Sequence, residues 1–543
     1  MGSISLPVAL TLHSHTFTSR FSKNPMKSPK YLALGLAALL TVLAAPAGAA
    51  DYPNRHLLGI NLDRPTDFDT SAPFADAMKS SRAWLYSYGE PVPDSQVDDL
   101  GNWIPEPGKS PFTIVALGST RPVAGHYTVT WEGTGKVVTH EATRSAPIIE
   151  EGPNRLVFDL AADQGITLRI AESDPDDPVR NIRCFRPGTE NQGHSFNPLF
   201  LEHLKPFGTI RYLNWIWANG STQTNWDMRP VPEQKNFAFE RRRGVPVEYI
   251  VELSNLTQTN PWVTIPHLAD DDYVRNFARY MKDHLDPERT ITIEYSNEIW
   301  NTAPGFGQTQ YSTARGKEMG VPDNQRPHAA WYAKRSAEIW KIFEEVFGGR
   351  DRHVRVLSGF AVVPADIEAK IRHLGDSSLA DAIAIAPYAG FSRDIRTGNF
   401  DPEGMTTEDL IEVMDGQIDQ LVQNAVRNHA RIAREHDLRL LGYEGGFAHG
   451  VPGSLHGNKQ AEELFMAIST APRLEDLLER YLRQWYAETG DLMCLYAYVR
   501  SSSRWGGFGN MGEDLAQPDE DAPRRRAIYD IASDPNLQIG NRQ

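Results

Sequence analysis

The stretch Thr290–Asn301, TITIEYSNEIWN, decides how the chain is read. Its first half has the pattern of a buried strand, with Ile291 and Ile293 alternating with Thr290 and Thr292, followed by Glu294 and Tyr295. Asn297 and Glu298 then stand where that strand should end, with Ile299 and Trp300 behind them. A carboxyl group at the end of a strand, with an amide beside it and an indole close by, can hold a sugar and protonate a glycosidic oxygen. Taken alone, an Asn-Glu pair at a loop start reads equally as a solvated surface carboxylate. The rest of the chain has to decide between the two.

Working outward, strand and helix patterns alternate from Pro187 to the end. Strand patterns cover Thr209–Trp215, Trp262–His267, His353–Gly359, Ala382–Tyr388, Leu438–Glu444 and Leu492–Tyr498. Helical patterns fill the intervals, among them Asp271–His284, His328–Phe347, Thr407–His436 and Asn458–Thr489. Upstream, Leu57–Leu62 reads as one more strand and Phe74–Ala83 as a helix. Eight strands, each followed by helix, predict a (β/α)8 TIM barrel. A doubly wound sheet would carry a Gly-rich phosphate turn after an early strand, and the sequence has none.

Residues 112–186 differ in character. Thr113–Leu117, His126–Trp131, Lys136–His140, Asn154–Leu160 and Ile166–Ile170 are short runs rich in β-branched and aromatic residues, separated by Gly and Pro turns. They predict an all-β, sandwich-like module inserted between the first and second barrel strands. The expected organisation is an export segment over 1–50, the first part of the barrel over 51–111, the β module over 112–186 and the remaining barrel over 187–543.

The export reading rests on a basic region at Met26–Lys30, an apolar run at Tyr31–Ala45 and small residues at Ala47–Ala49. The apolar run is short for a membrane span of about 20 residues. The expected location is therefore secreted or periplasmic, free of the membrane once the segment is removed. A formal net charge of −15 disfavours nucleic acid and anionic lipid as partners and fits a neutral substrate. Cys184 and Cys494 fall in different modules and read as unpaired and buried. No metal-ligand motif and no cofactor motif is present, so none is expected. Nothing in the sequence fixes an oligomeric state.

Barrel active sites lie at the carboxyl ends of the strands. The side chains there are Asn61 and Asp63 on the first strand, and Arg211, Asn214, Trp215 and Trp217 on the second. His267, then Asn297 and Glu298, follow on the third and fourth, and Tyr388 on the sixth. Glu444 ends the seventh; Tyr496, Tyr498 and, in its loop, Trp505 belong to the eighth. Two carboxylates with aromatic, amide and basic side chains between them suit a sugar, whose C–H faces stack on rings and whose hydroxyls need oriented partners. Other readings stay open. Glu294 is a barrel-interior group needing a basic partner, which Arg211 can supply. His267 lines the site or merely caps a strand, and Trp300 packs beneath the acid or touches sugar.

Asn297-Glu298 ending the fourth strand and Glu444 ending the seventh resemble glycoside hydrolase clan A, the retaining superfamily with catalytic glutamates on strands four and seven. Arg211 is similar to the clan's second-strand arginine, Tyr388 to its tyrosine near the nucleophile, and Trp505 to its eighth-strand tryptophan. Ile299 departs from the Pro that many members carry after the acid. The resemblance implies Glu298 as general acid/base and Glu444 as nucleophile, with Arg211 and Tyr388 favouring the charged form of Glu444. It also implies Asn297 on the sugar hydroxyl next to the reacting carbon and His267 along the subsite; Trp215 and Trp300, from their places at the strand ends, are read as supporting or binding groups. The expected activity is endo-type cleavage of a β-linked, glucan-type polysaccharide or oligosaccharide. The alternative is a catalytically silent carbohydrate-binding protein on the same barrel.

Overall fold

The computed structural model describes residues 52–239 and 243–541. The export segment lies outside the described residues. Eight parallel strands close on themselves in chain order: Leu58–Asn61, Thr209–Arg211, Asn260–Ile265, Ile291–Tyr295, His353–Gly359, Ala382–Ile385, Arg439–Gly442 and Met493–Leu495. Closure is made by the first and last, with Leu58 opposite Met493 and Ile60 opposite Leu495. This is the (β/α)8 barrel expected from the eightfold alternation.

Residue parity explains the layers. On the fourth strand Ile291, Ile293 and Tyr295 face outward into the apolar layer under the helices. Thr292 and Glu294 face the barrel interior, where Glu294 is fully buried. Helix Asp271–His284 forms as its pattern predicts, with Asp270 accepting from the Tyr273 N–H and so capping the first turn. The long segment over Thr407–His436 is helix Thr407–Leu421, a π turn at Val422–Val426 and helix Arg427–Glu435. Asn458–Thr489 likewise divides, at the 3-10 turn Ala467–Thr470.

The antiparallel strands form two sheets. One has the order Arg180–Phe185, Gly125–Glu132, Arg155–Leu160, Ile148–Gly152. The other has the order Glu90–Pro91, Leu85–Ser87, Phe112–Ala116, Ile166–Ser173, Gly135–Thr139. Val115, Tyr127, Trp131, Val137, Phe158 and Leu168 fill the space between them, so the module is a sandwich. Two of its strands, Leu85–Ser87 and Glu90–Pro91, precede Phe112; they are too short to stand out in the sequence. Cys184 is buried in the module core and Cys494 in the barrel, both unpaired.

The helix expected over Phe74–Ala83 is absent. Only the 3-10 turn Ala77–Ser80 forms there. Phe74 bridges Phe196 and Asp76 bridges Phe185 in antiparallel fashion, which pulls the backbone into an extended path. The Asp76 carboxylate then accepts from the Met78 and Cys184 N–H groups. These bridges seat the module on the barrel, and the Arg121–Asp514 ion pair ties it to the loop after the eighth strand at 2.9 Å.

Barrel closure leaves no room beside Gly59, where an added Cβ would stand 2.4 Å from Cys494 Sγ. Gly59→Val should therefore destabilise the fold by about 1–3 kcal/mol through overpacking. A lowered urea midpoint, measured with Cys494 intact, is the expected result; an unchanged midpoint would mean that the seam between the first and last strands yields.

Candidate active site

The site is assembled around Arg211, which is completely buried at the end of the second strand. Its Nε and Nη2 donate to Glu294 Oε2 at 3.1 and 2.8 Å. Nη1 donates to Glu444 Oε1 at 3.0 Å and to Asn61 Oδ1 at 3.1 Å. Nη2 also donates to Asn297 Oδ1 at 2.7 Å. One side chain on the second strand thus orders groups from the first, fourth and seventh. Burial works against its charge, and Glu294 and then Glu444 more than reverse that, raising its pKa. Glu294 is completely buried and presents no oxygen to the mouth. It also accepts from Trp262 Nε1 at 2.9 Å and Ser358 Oγ at 2.6 Å. It is the barrel-interior partner of Arg211, and the guanidinium serves Glu444 as well.

Ser296 and Glu298 both have left-handed backbone, with φ of 58° and 43°. Two non-glycine residues so placed store about 1–3 kcal/mol each. The chain therefore leaves the strand sharply and turns Asn297 inward, where it is only 2 % exposed. Gln308, on helix Gly307–Glu318, donates to the Asn297 carbonyl at 2.9 Å and to Asn219 Oδ1 at 2.8 Å. Asn219 Oδ1 in turn accepts from Asn297 Nδ2 at 3.1 Å.

Glu298 accepts from Asn301 Nδ2 at 2.8 Å and from the Tyr443 hydroxyl at 3.1 Å. Glu444 accepts from the Tyr388 hydroxyl at 2.9 Å in addition to Arg211. Burial, then the charge of Glu298, pushes Glu444 up to about 7; burial also pushes Glu298 up. The two carboxyls interact and titrate as a unit. The first proton leaves where a cation is in contact. Arg211 touches Glu444 and not Glu298, so the charge rests on Glu444 and the remaining proton on Glu298.

The other expected residues divide. Tyr388 is in place, its hydroxyl proton held by burial and by Glu444. His267 lies edge-on to Tyr311, burial pulls it down to about 4, and its Nδ1 has no partner among the described residues. It is therefore a neutral imidazole. Trp300 stacks on Phe360 at 3.9 Å, which makes it a packed ring whose buried Nε1 is unpartnered.

Two expectations are corrected. Trp215 is 1 % exposed, stacked among Phe74, Phe196 and Phe200, with Nε1 donating to the Asp63 carbonyl at 3.1 Å. It is core and offers no face to a ligand. Trp505 is 67 % exposed and packs edge-on against His456; it sits on the outer rim. The eighth-strand aromatic near the nucleophile is Tyr496, whose hydroxyl feels the charge of Glu444. The sequence reading missed Tyr443 as a contact of the acid. It directly precedes Glu444, and only the outward turn after the strand brings its ring under Arg211, 4.9 Å from the guanidinium carbon.

The class defined so far is a (β/α)8 barrel with a charge-separated glutamate pair at the carboxyl ends of its fourth and seventh strands. No protein-family model and no curated protein matches the sequence. Solved structures similar to the chain include an arabinofuranosidase of glycoside hydrolase family 51 from Xanthomonas axonopodis pv. citri, at 13 % identity over 58 % of this chain and 62 % of that one, TM-score 0.39. A family 51 α-L-arabinofuranosidase from Bifidobacterium longum matches at 12 % over 62 % and 68 %, TM-score 0.39. An endo-β-1,4-mannanase double mutant from Cellulomonas fimi matches at 10 % over 53 % and 57 %, TM-score 0.29. The chain spans less than two-thirds of the first and third of these.

Removing Arg211 leaves two buried carboxylates without their cation. Arg211→Met should cost about 3–5 kcal/mol, read as a fall in the urea midpoint at neutral pH, with part of the loss recovered on mild acidification as Glu444 takes up a proton. A loss that is independent of pH would mean that packing, not charge, dominates there.

Proposed function

We propose that the protein is an exported retaining glycoside hydrolase of the clan it resembles, cleaving β-linked glycans by double displacement. The observation that carries this reading is the asymmetry of the two glutamates. One carboxyl has a guanidinium and a phenol on it; the other has only neutral donors, an amide and a phenol. A double displacement needs this pairing, one ionised nucleophile and one protonated acid.

On this reading Glu444 attacks the anomeric carbon while Glu298 gives its proton to the leaving oxygen. Electrons of the broken C–O bond leave with that oxygen, and a glycosyl ester forms on Glu444. Glu298, now ionised, takes a proton from water, which attacks the same carbon and restores Glu444. Tyr443 and Asn301 keep the Glu298 carboxyl oriented through both steps. Asn297, locked by Arg211, Asn219 and Gln308, is placed to meet the hydroxyl beside the reacting carbon. The net charge of the chain favours a glucan-type neutral polymer, and endo action suits the open rim where Trp505 stands. The alternative, a binding protein that turns nothing over, has no use for a charge-separated pair.

Reducing-sugar release from a broad polysaccharide and aryl-glycoside panel is the direct test. Glu298→Gln and Glu444→Gln should each lower turnover by about 10²–10⁴-fold or more with folding intact. Azide should restore turnover of an activated glycoside to Glu444→Gly with inverted configuration, and to Glu298→Gly with retained configuration. The reverse pattern would exchange the two roles. Glycan binding without turnover across the panel would favour the silent binder.

The pH dependence follows from the pair. The working form holds one proton, so kcat/KM should fall on the alkaline side as Glu298, whose pKa burial raises, loses it. Glu298→Gln should abolish that alkaline limb in whatever activity remains. A limb that persists in the variant would belong to another group.

A further inference from the structure

The chain as a whole is strongly acidic, but one side of the barrel mouth is not. Arg64 follows the first strand, Trp217 the second and Arg500 the eighth. The Arg64 guanidinium carbon lies 4.1 Å from the centre of the Trp217 ring, and that of Arg243 lies 5.5 Å from the same ring. Arg500 sits next to them through Asp63, which it holds at 3.1 Å. Two guanidinium groups therefore share one indole at the barrel mouth, and a third, over Phe508, joins them through Asp63.

Acid to balance them is scarce. Asp63 spends one oxygen on Arg500 and the other on the Arg64 backbone N–H and Asn214. Asp69 is committed to Ser71, and burial followed by the charge of Asp63 pushes it up to about 7. Among the described residues no carboxylate lies within ion-pair distance of the Arg64 or Arg243 guanidinium. Burial pulls the Arg64 pKa down despite Tyr496 and Asp63, as befits a partly buried cation short of counter-charge. The place is costly to hold without an anion.

The cluster also reaches the reacting groups. Tyr496 interacts with Arg500 on one side and Glu444 on the other. On the far side, Trp217 and Arg243 join Gly220, Ser221, Thr222 and Gln223 around an open cavity of about 300 Å³. An indole with a guanidinium on it, beside free volume, offers a stacking face and a fork of donors together. Trp217 holds left-handed backbone at φ 58°, a conformation that a bulky residue adopts only when its surroundings impose it.

We infer that Arg64, Arg243 and Arg500 form a subsite for an oxyanion carried on a sugar ring, a uronate carboxylate or a sulfate ester, next to the proposed nucleophile. Planar guanidinium forks match both oxyanions bidentately. The substrate would then be an acidic glycan rather than the neutral polymer that the net charge favours. This inference deepens the hydrolase reading and rests on it for the word substrate; the subsite itself is testable without turnover.

Affinity gel electrophoresis of the intact protein would use polygalacturonate and alginate as uronate probes, dextran sulfate as the sulfate probe and a neutral β-glucan as the comparison. Arg64→Gln, Arg64→Lys and the exposed-site variant Arg243→Gln would run beside it, with reducing-sugar release measured on the same polymers. The expected result is tighter binding of one acidic class than of β-glucan. That affinity should drop about tenfold or more in Arg64→Gln, drop measurably in Arg243→Gln and recover partly in Arg64→Lys. Preference for polyuronate or for dextran sulfate names the source of the oxyanion. Arginine-dependent binding of an acidic glycan that is never cut would keep the subsite and remove the hydrolase reading. Cleavage of β-glucan with acidic-glycan affinity unchanged in folded Arg64→Gln and Arg243→Gln would overturn the subsite and keep the hydrolase. If Arg64→Gln fails to fold, Arg243→Gln decides alone.

Discussion

One guanidinium with no exposure to solvent holds two glutamates and two asparagines from three other strands of the barrel. A buried charge is tolerated only when it is fully partnered, so Arg211 obliges its neighbours to stay where they are. Glu294 is the fixed counter-ion, tied down by Trp262 and Ser358. Glu444 is the second partner, and it alone keeps an oxygen for the Tyr388 hydroxyl and the open site. The same cation that stabilises the barrel interior thus decides which of the two glutamates at the mouth is ionised. Structural and chemical roles cannot be separated at this residue, because both consist of neutralising carboxylates in a dry setting.

Much of this was written in the sequence where periodicity carries it. The alternation of Ile291 and Ile293 with Thr292 and Glu294 places a charge inside the barrel, and an interior charge demands a partner of opposite sign. The eightfold succession of strand and helix places Glu298 and Glu444 at one end. Side-chain direction beyond the strand ends was not legible. Trp215 and Trp217 are two residues apart, yet the first is core and the second lines the mouth, because the backbone reverses its handedness at Trp217. Tyr443 escaped notice for the same reason: a turn, not a period, brings it to the carboxylates. The helix expected near Phe74 failed because its backbone groups are taken by strand-like bridges to residues more than a hundred positions away, a partner no local pattern can announce.

Charge was legible only in sum. A net value of −15 describes the surface as a whole, and screening confines the influence of exposed charge to about 10 Å. What a ligand meets at the mouth is the local set of groups, which here includes Arg64, Arg243 and Arg500. Acidic residues elsewhere keep the protein soluble and say little about what enters the barrel.

The bridges Phe74↔Phe196 and Asp76↔Phe185 bring the two ends of a long excursion side by side. Seen from the barrel, everything between those points has the reach of a short turn. Loop-closure entropy counts the distance between tethered ends, so once the sandwich has formed, pairing of the first strand with the second is as accessible as if the two were near neighbours in sequence.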